Sequence, residues 1–156
     1  MKSKNRFLTV TVFFLIFVAV ISMLMSLSQA ERRWYSQEMV NSGASVFQQN
    51  CASCHGANAQ GTLGWKKTDS NGIYPPPPLN GTAHAWHHDI SVLKNTIREG
   101  GVPLGGTMPP FKDILSGSEV DAVIAYFQSK WPNKLYMNWR SRVQKSDLPV
   151  IGVALP

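Results

Sequence analysis

Apolar residues recur with helical spacing in three segments of this chain, the first of which covers residues 36–51. Its apolar side is formed by Met39, Ala44, Val46 and Phe47, and its polar side by Gln48, Gln49 and Asn50. Gly43 lies inside the segment, where glycine costs about 1 kcal/mol relative to alanine. Either another helix crosses there and needs a close backbone approach, or the glycine is simply tolerated.

The second segment covers residues 89–99, with Asp89 as a candidate N-cap and Gly100-Gly101 after its last turn. Its apolar face is formed by Ile90, Leu93 and Ile97. The residues that follow, 100–112, are rich in glycine and proline and predict a loop.

The third segment has the clearest boundaries, because Ser116 and Glu119 match a capping box and Pro132 prevents continuation beyond Lys130. Its apolar stripe is formed by Val120, Val123, Ile124 and Phe127. No segment alternates with period two, so the sequence predicts an all-α fold. Residues 56–72 are loop-like, and the four prolines at 75–78 form either a stiff internal wall or a docking ligand.

The N-terminal 30 residues are typical of an export signal. Lys2, Lys4 and Arg6 precede an uncharged stretch of 21 residues from 7 to 27, and Ser28-Gln29-Ala30 has the small-x-small pattern that precedes signal cleavage. The stretch also reaches the roughly 18–20 residues that span a bilayer. Residues 1–30 are therefore a cleaved signal peptide or a membrane anchor. Both place the rest of the chain outside the cytoplasm.

The net charge of the chain indicates no particular class of partner. Three of the fifteen basic residues lie in the leader, so residues 31–156 have 12 Lys and Arg against 9 Asp and Glu, a net charge of +3. No block of like charges occurs, so nothing indicates a nucleic-acid partner. The length allows one domain, predicted over residues 31–132, followed by a basic and then apolar tail over residues 133–156.

The two cysteines of the chain lie in Cys51-Ala52-Ser53-Cys54-His55, the attachment pattern of a c-type haem. Two thiols at this spacing can each form a thioether with a porphyrin vinyl group, and the histidine supplies an axial ligand to iron. A thioredoxin-like site would follow a strand, and a zinc site would need further ligands. A plain disulfide between Cys51 and Cys54 stays open in an oxidising compartment.

The residue opposite His55 on the iron decides what such a haem can do. The candidates are Met39, Met108, Met137, His84, His87 and His88. Met108 is favoured because it lies in Gly105-Gly106-Thr107-Met108-Pro109-Pro110, where glycines allow close approach and prolines stiffen the loop. The other two methionines are more typical of core filling.

From about residue 40 to residue 131 the chain resembles the small mono-haem cytochromes c of the His/Met type. The resemblance rests on the helix that leads into Cys51–His55, the stretch Pro77-Pro78-Leu79-Asn80-Gly81, the Gly-Thr-Met108-Pro loop and the helix containing Ala125-Tyr126-Phe127. It implies a domain of three to four helices around one covalent haem c. The first and last helices would cross at Gly43, which would face Tyr126 or Phe127.

The resemblance also implies roles for residues around the haem. The carbonyl of Pro77 would accept a hydrogen bond from His55, and Leu79 would pack on the porphyrin edge. The segment with His84, His87 and His88 suggests solvent or propionate contacts more than a metal site, with Trp86 as a propionate donor. The tail beyond residue 132, with its basic residues around Trp139, is not covered.

With His55 and Met108 both on iron, the expected function is one-electron transfer in a respiratory chain. The haem protein would serve a terminal oxidase or a bc-type reductase on the periplasmic side of a bacterial inner membrane. Two alternatives stay open. The sixth ligand could be releasable, giving an enzyme or a gas or redox sensor, or the chain could be the haem subunit of a larger oxidoreductase.

Overall fold

The computed structural model describes residues 11–24, 33–102 and 105–143, and its contacts divide the chain into two units, residues 1–34 and 35–156. In the first unit, residues 11–24 form a helix, α1, with exposed apolar side chains such as Phe13 and Leu15. No helix within the described ranges has the length and apolar character of a membrane span. The candidate cleavage residues Ser28-Gln29-Ala30 and the apolar end at 150–155 lie outside the described residues.

The described residues of the second unit form five α-helices, namely α2 (Gln37–Asn50), α3 (Ala52–His55), α4 (Ile90–Glu99), α5 (Gly117–Ser129) and α6 (Asn133–Val143). A 3-10 turn, Ala85–His87, precedes α4. No strand occurs in the part of the chain that the structure describes. The predicted all-α fold is confirmed.

The two predicted cap residues, Asp89 and Ser116, are the N-caps of α4 and α5, and Ser36 is the N-cap of α2. The Ser36 hydroxyl accepts a hydrogen bond from the Met39 N–H at 3.2 Å, and Ser116 and Glu119 form a full capping box. Hydrogen bonds from the Ser116 hydroxyl and then its N–H lower the pKa of Glu119. Asp89 is the N-cap of α4 as predicted, although its carboxylate makes no capping hydrogen bond. Asp89 begins α4 through its carbonyl, which accepts from the Leu93 N–H at 3.0 Å.

The core is organised by the crossing of α2 and α5. Gly43 is buried against α5, where a Cβ at this position would overlap the carbonyl of Ala122 and lie 3.1 Å from the Cβ of Tyr126. Phe47, one turn further along α2, packs its ring 4.9 Å from that of Tyr126. The predicted crossing at Gly43 is confirmed, with Ala122 and Tyr126 as the residues that the glycine faces.

Helix α6 was not predicted, because residues 133–143 are mostly polar and were assigned to a tail. Three of its side chains, Tyr136, Trp139 and Val143, form a buried face. Their spacing of three and four residues was the available signal, although basic and amide side chains between them obscured it. The described part of the assigned tail is therefore a packed helix.

Replacing Gly43 with alanine should lower the free energy of unfolding by about 3 kcal/mol, because the added methyl would force the two helix backbones apart. Gly117→Ala is the matched control, since a Cβ there meets nothing within 4 Å. Denaturant unfolding of both variants measures the difference. Equal stabilities would show that the helix crossing does not depend on glycine.

Candidate functional site

The Cys51–His55 segment forms one tight helical turn directly after α2. Cys51 is the C-terminal cap of α2, and its carbonyl accepts hydrogen bonds from the Cys54 N–H at 3.1 Å and the His55 N–H at 2.9 Å. Because these bonds fix the turn, the two thiols and the imidazole belong to one rigid element at the end of α2. The helix crossing at Gly43 in turn positions that element on the core.

The two thiols are free, with Cys51 half-buried and Cys54 exposed. Burial, followed by the nearby Cys54, raises the pKa of Cys51 to about 11. A thioredoxin-like site needs the opposite shift and follows a strand, whereas Cys51 follows α2. Among the described residues, no group of three or more His, Cys, Asp or Glu side chains is placed to bind one metal ion. The position of Cys51 at the end of a helix disfavours the thioredoxin alternative.

His55 is buried, and its Nδ1 lies 2.9 Å from the carbonyl oxygen of Pro77. Since a carbonyl only accepts, Nδ1 carries the proton and Nε2 keeps its lone pair. Burial lowers the pKa of His55, an effect that the hydrogen bond to Pro77 partly opposes. The imidazole is therefore neutral near pH 7 and oriented, which is the form that binds a metal.

Gly61 is what lets the Pro77 carbonyl come so close. Its φ is +68°, and a Cβ there would lie 2.6 Å from the carbonyl carbon of Pro77 and overlap the nitrogen of Pro78. The Gly61 N–H also donates to the His55 carbonyl at 2.7 Å. One glycine thus brings the attachment turn and the proline segment together, a role hidden in sequence because Gly61 reads as one of many loop glycines.

Ala59, within the loop, also holds the attachment turn and the proline segment together. It is fully buried with a left-handed φ of +56°, unusual for a residue with a side chain. Its carbonyl accepts from the N–H groups of Leu79 at 2.8 Å and Asn80 at 3.1 Å. Leu79, which is half-buried, is therefore held beside the attachment loop by its backbone.

Two side chains from the crossed helices support the attachment loop at a single point. The Tyr126 hydroxyl donates to the carbonyl of Ala57 at 3.0 Å, and the Gln48 side-chain amide donates to the same oxygen at 2.9 Å. The sequence pattern predicts Tyr126 in the helix crossing and Gln48 on a polar helix face, but not their hydrogen bonds to Ala57. Neither residue pattern carries a signal for a bond across 69 or 9 positions.

Met108 is half-buried and is held by the end of α4. Its carbonyl accepts from the Gly101 N–H at 2.9 Å, and a Cβ on Gly100 would lie 2.6 Å from that same oxygen. The Gly106 N–H closes the loop onto the Gly101 carbonyl at 3.0 Å. Gly100 therefore allows the close approach of the Met108 backbone. Met39 is half-buried and Met137 is exposed.

The histidine-bearing segment packs on itself and on α6. The His87 ring stacks on Trp86 at 3.7 Å, and the Arg142 guanidinium lies 5.4 Å from the Trp86 ring centre. The rings of His84 and His88 are 5.7 Å apart, and burial, then His88 and His87, lower the pKa of His84. Trp86 itself is half-buried.

The residues present fit a covalent haem. Two free thiols on one turn precede a buried, neutral imidazole whose second nitrogen is available as a ligand. The carbonyl partner of that imidazole is the kind of hydrogen bond that metal-binding histidines make.

Residues 38–127 match the family model described as cytochrome c oxidase, cbb3-type, subunit III. The chain is also similar to the cbb3-type cytochrome c oxidase subunit FixP of Sinorhizobium medicae, with 34% identity over 99 residues, 60% of this chain and 30% of that protein. It thus spans less than a third of the FixP subunits that it matches.

Two shorter or more distant relatives add to this. The cytochrome c subunit of the quinone alcohol dehydrogenase of Gluconobacter oxydans is 31% identical over 115 residues, 69% of this chain and 21% of that protein. Cytochrome c6 of Bryopsis maxima is 32% identical over 88 residues, 54% of this chain and 83% of that protein. No solved structure matches the chain significantly.

Gly61→Ala should lower the free energy of unfolding by about 2 kcal/mol more than Gly64→Ala does. Both glycines have a positive φ, +68° and +77°, but a Cβ on Gly64 meets nothing within 4 Å, so the pair separates the steric overlap from the backbone strain. Denaturant unfolding of the full chain gives the comparison. If the two variants are equally stable, the close approach of Gly61 to the prolines contributes nothing.

Proposed function

The chain belongs to the c-type cytochrome family described as cytochrome c oxidase, cbb3-type, subunit III, and on that premise we propose that it carries single electrons through one covalently bound haem c. The observation that carries the proposal is the His55–Pro77 hydrogen bond of 2.9 Å beside two free thiols. A buried imidazole oriented in this way next to a Cys-x-x-Cys turn suits axial ligation of haem iron.

Cys51 and Cys54 would hold the haem through thioethers, and His55 would bind the iron through Nε2. The rigid turn after α2 supports this assignment, because Cys51 caps α2 and also accepts the His55 N–H. Leu79 would pack against the porphyrin, since its backbone is bonded to Ala59 of the attachment loop. Trp86, which is half-buried, would donate to a propionate through its indole N–H.

Met108 is proposed as the sixth ligand. Its half-buried position and the hydrogen bonds of its loop to Gly101 give the thioether a fixed setting, which a ligand to iron requires. The Met108–Pro110 backbone passes against Gly100, so the loop cannot shift without losing that contact. Met137 is exposed and lies on α6, so it is a poorer candidate.

The bound haem would supply one-electron exchange between Fe(II) and Fe(III), with a thioether ligand raising the reduction potential. The protein's part is to keep both axial side chains in place in the two oxidation states. It does so with the Gly61 contact on one side and the Gly100–Met108 contact on the other. Because the ligands would stay in place, the reorganisation energy of electron transfer would be low, which suits an electron carrier.

The relatives named as subunits of a cbb3-type oxidase and of a quinone alcohol dehydrogenase favour a partner of that class, a larger oxidoreductase complex. We propose that the domain faces the periplasm, supported by the basic and apolar leader of residues 1–30. The leader would act as a membrane anchor or as a cleaved signal.

Intact mass spectrometry of the exported chain should find the added mass of one haem group. The Cys51→Ala/Cys54→Ala double variant should lack it, because no thioether can form. Ser53→Ala, inside the same turn, is the control and should keep the haem. An exported wild-type chain without added mass would contradict covalent attachment.

Met108→Ala should abolish the weak absorption band near 695 nm that methionine ligation gives in oxidised cytochromes c, and should lower the reduction potential. The reduced variant should also bind carbon monoxide, since its sixth position is open. Met39→Ala and Met137→Ala are the controls and should retain the band. Carbon monoxide binding by the reduced wild type would favour the alternative of a releasable ligand, as in a sensor or enzyme.

A further inference from the structure

Helix α6 lies beyond the stretch that the family model matches, yet it is among the best-packed parts of the unit. Trp139 is 0% exposed and Tyr136 is 1% exposed. The Trp139 ring meets Trp131 edge-on at 5.8 Å and Tyr136 at 5.6 Å, and Tyr136 contacts Tyr35 at 6.0 Å. Such burial of aromatic area gives the helix a fixed seat on the domain.

Three side-chain donors from Trp131 and α6 reach backbone carbonyls in one short stretch, which we call segment 77–88. The Trp131 indole N–H donates to Leu79 at 2.7 Å, the Trp139 indole N–H to His88 at 2.8 Å, and the Arg142 guanidinium to Trp86 at 2.6 Å. Outside its single 3-10 turn this segment has no regular structure of its own. Its shape therefore depends on donors supplied from elsewhere.

Shape complementarity adds to these bonds at Gly81. Its φ is +96°, and a Cβ there would lie 2.9 Å from the Leu135 side chain and 3.2 Å from the Trp131 ring. The first turn of α6 thus lies directly on the loop, at the one residue that has no side chain to keep it away.

The other end of segment 77–88 bears on the proximal histidine. Pro77 accepts from His55 at 2.9 Å, and Leu79 and Asn80 donate to Ala59 of the attachment loop. Leu79 is the junction, because its N–H is bonded to the attachment loop and its carbonyl to Trp131. A displacement of segment 77–88 caused by α6 would therefore also move the backbone that orients His55.

We propose that α6, together with Trp131, is a clamp that presses segment 77–88 onto the attachment turn and thereby helps to set the reduction potential of the haem. This inference rests on the proposed function, since it requires a haem ligated by His55. Trp131, Trp139 and Arg142 are positioning residues, because they act on the haem through Leu79, His88 and Trp86.

The direction of the effect follows from solvation. Loosening the clamp would let water approach the proximal side of the haem. Fe(III) carries one more positive charge than Fe(II), so water stabilises the oxidised form more, and the potential falls. Losing one such hydrogen bond should shift the ferric-to-ferrous ratio at a fixed solution potential toward ferric by at most about fivefold, because only the part of its free energy that differs between the two oxidation states counts.

Trp139→Phe tests the clamp without changing charge, because it removes the indole N–H and keeps an aromatic ring. Two readouts on the haem-loaded full chain are needed: the midpoint potential by spectroelectrochemical titration, and amide hydrogen exchange at Leu79 and Asn80. We expect a lower potential together with faster exchange. Arg142→Gln changes an exposed side chain, so it serves as the second variant if Trp139→Phe fails to fold.

Lys134→Gln is the matched control for Arg142→Gln, since it removes the same charge from an exposed position of the same helix. It should leave both readouts close to those of the wild type. Faster exchange with an unchanged potential, or equal effects from Lys134→Gln and Arg142→Gln, would overturn the clamp while leaving the haem protein intact. A wild-type chain without haem would instead overturn the proposed function, and the clamp with it.

Discussion

The hydrogen bond between His55 Nδ1 and the Pro77 carbonyl is the interaction on which the site depends. It joins residues 22 positions apart, so it exists only if the attachment turn and the proline segment lie against each other. Gly61 makes that approach possible because it has no Cβ. The Ala59 carbonyl maintains it by accepting hydrogen bonds from the N–H groups of Leu79 and Asn80. The bond selects the protonated ring nitrogen and leaves the other nitrogen with a free lone pair.

A second constraint is the contact of helix backbones at Gly43, which fixes where α2 ends and hence where Cys51 and Cys54 lie. The contact is reinforced by the Tyr126 hydroxyl and the Gln48 amide, which both donate to the Ala57 carbonyl just beyond the turn. The packing of α2 on α5 therefore also determines the position of the site. A change in the crossing of α2 and α5 would move both thiols.

Helix α6 lies outside the residues that the family model matches, yet it packs on the loop that leads to the attachment turn. Its aromatic face is buried like a core, but its polar tips, Trp139 and Arg142, are used as hydrogen-bond donors to a loop. The loop in turn is bonded to the attachment loop through the Leu79 N–H and the Ala59 carbonyl. On our proposal, this connection would let α6 influence the haem environment without a change of axial ligand.

The sequence alone determined the features that depend on neighbours along the chain. These are the capping box of Ser116 and Glu119, the helices α2, α4 and α5, and the Cys51–His55 segment, whose residue spacing by itself indicates haem attachment. Resemblance to the His/Met cytochromes c added the Pro77 contact and the helix crossing. Tertiary structure alone decided that the Asp89 cap uses its carbonyl and not its carboxylate, that Gly61 lies against the proline segment, and that residues 133–143 form a packed helix. These features depend on partners distant in sequence, whose approach follows from the packing of the whole core and leaves little local signal.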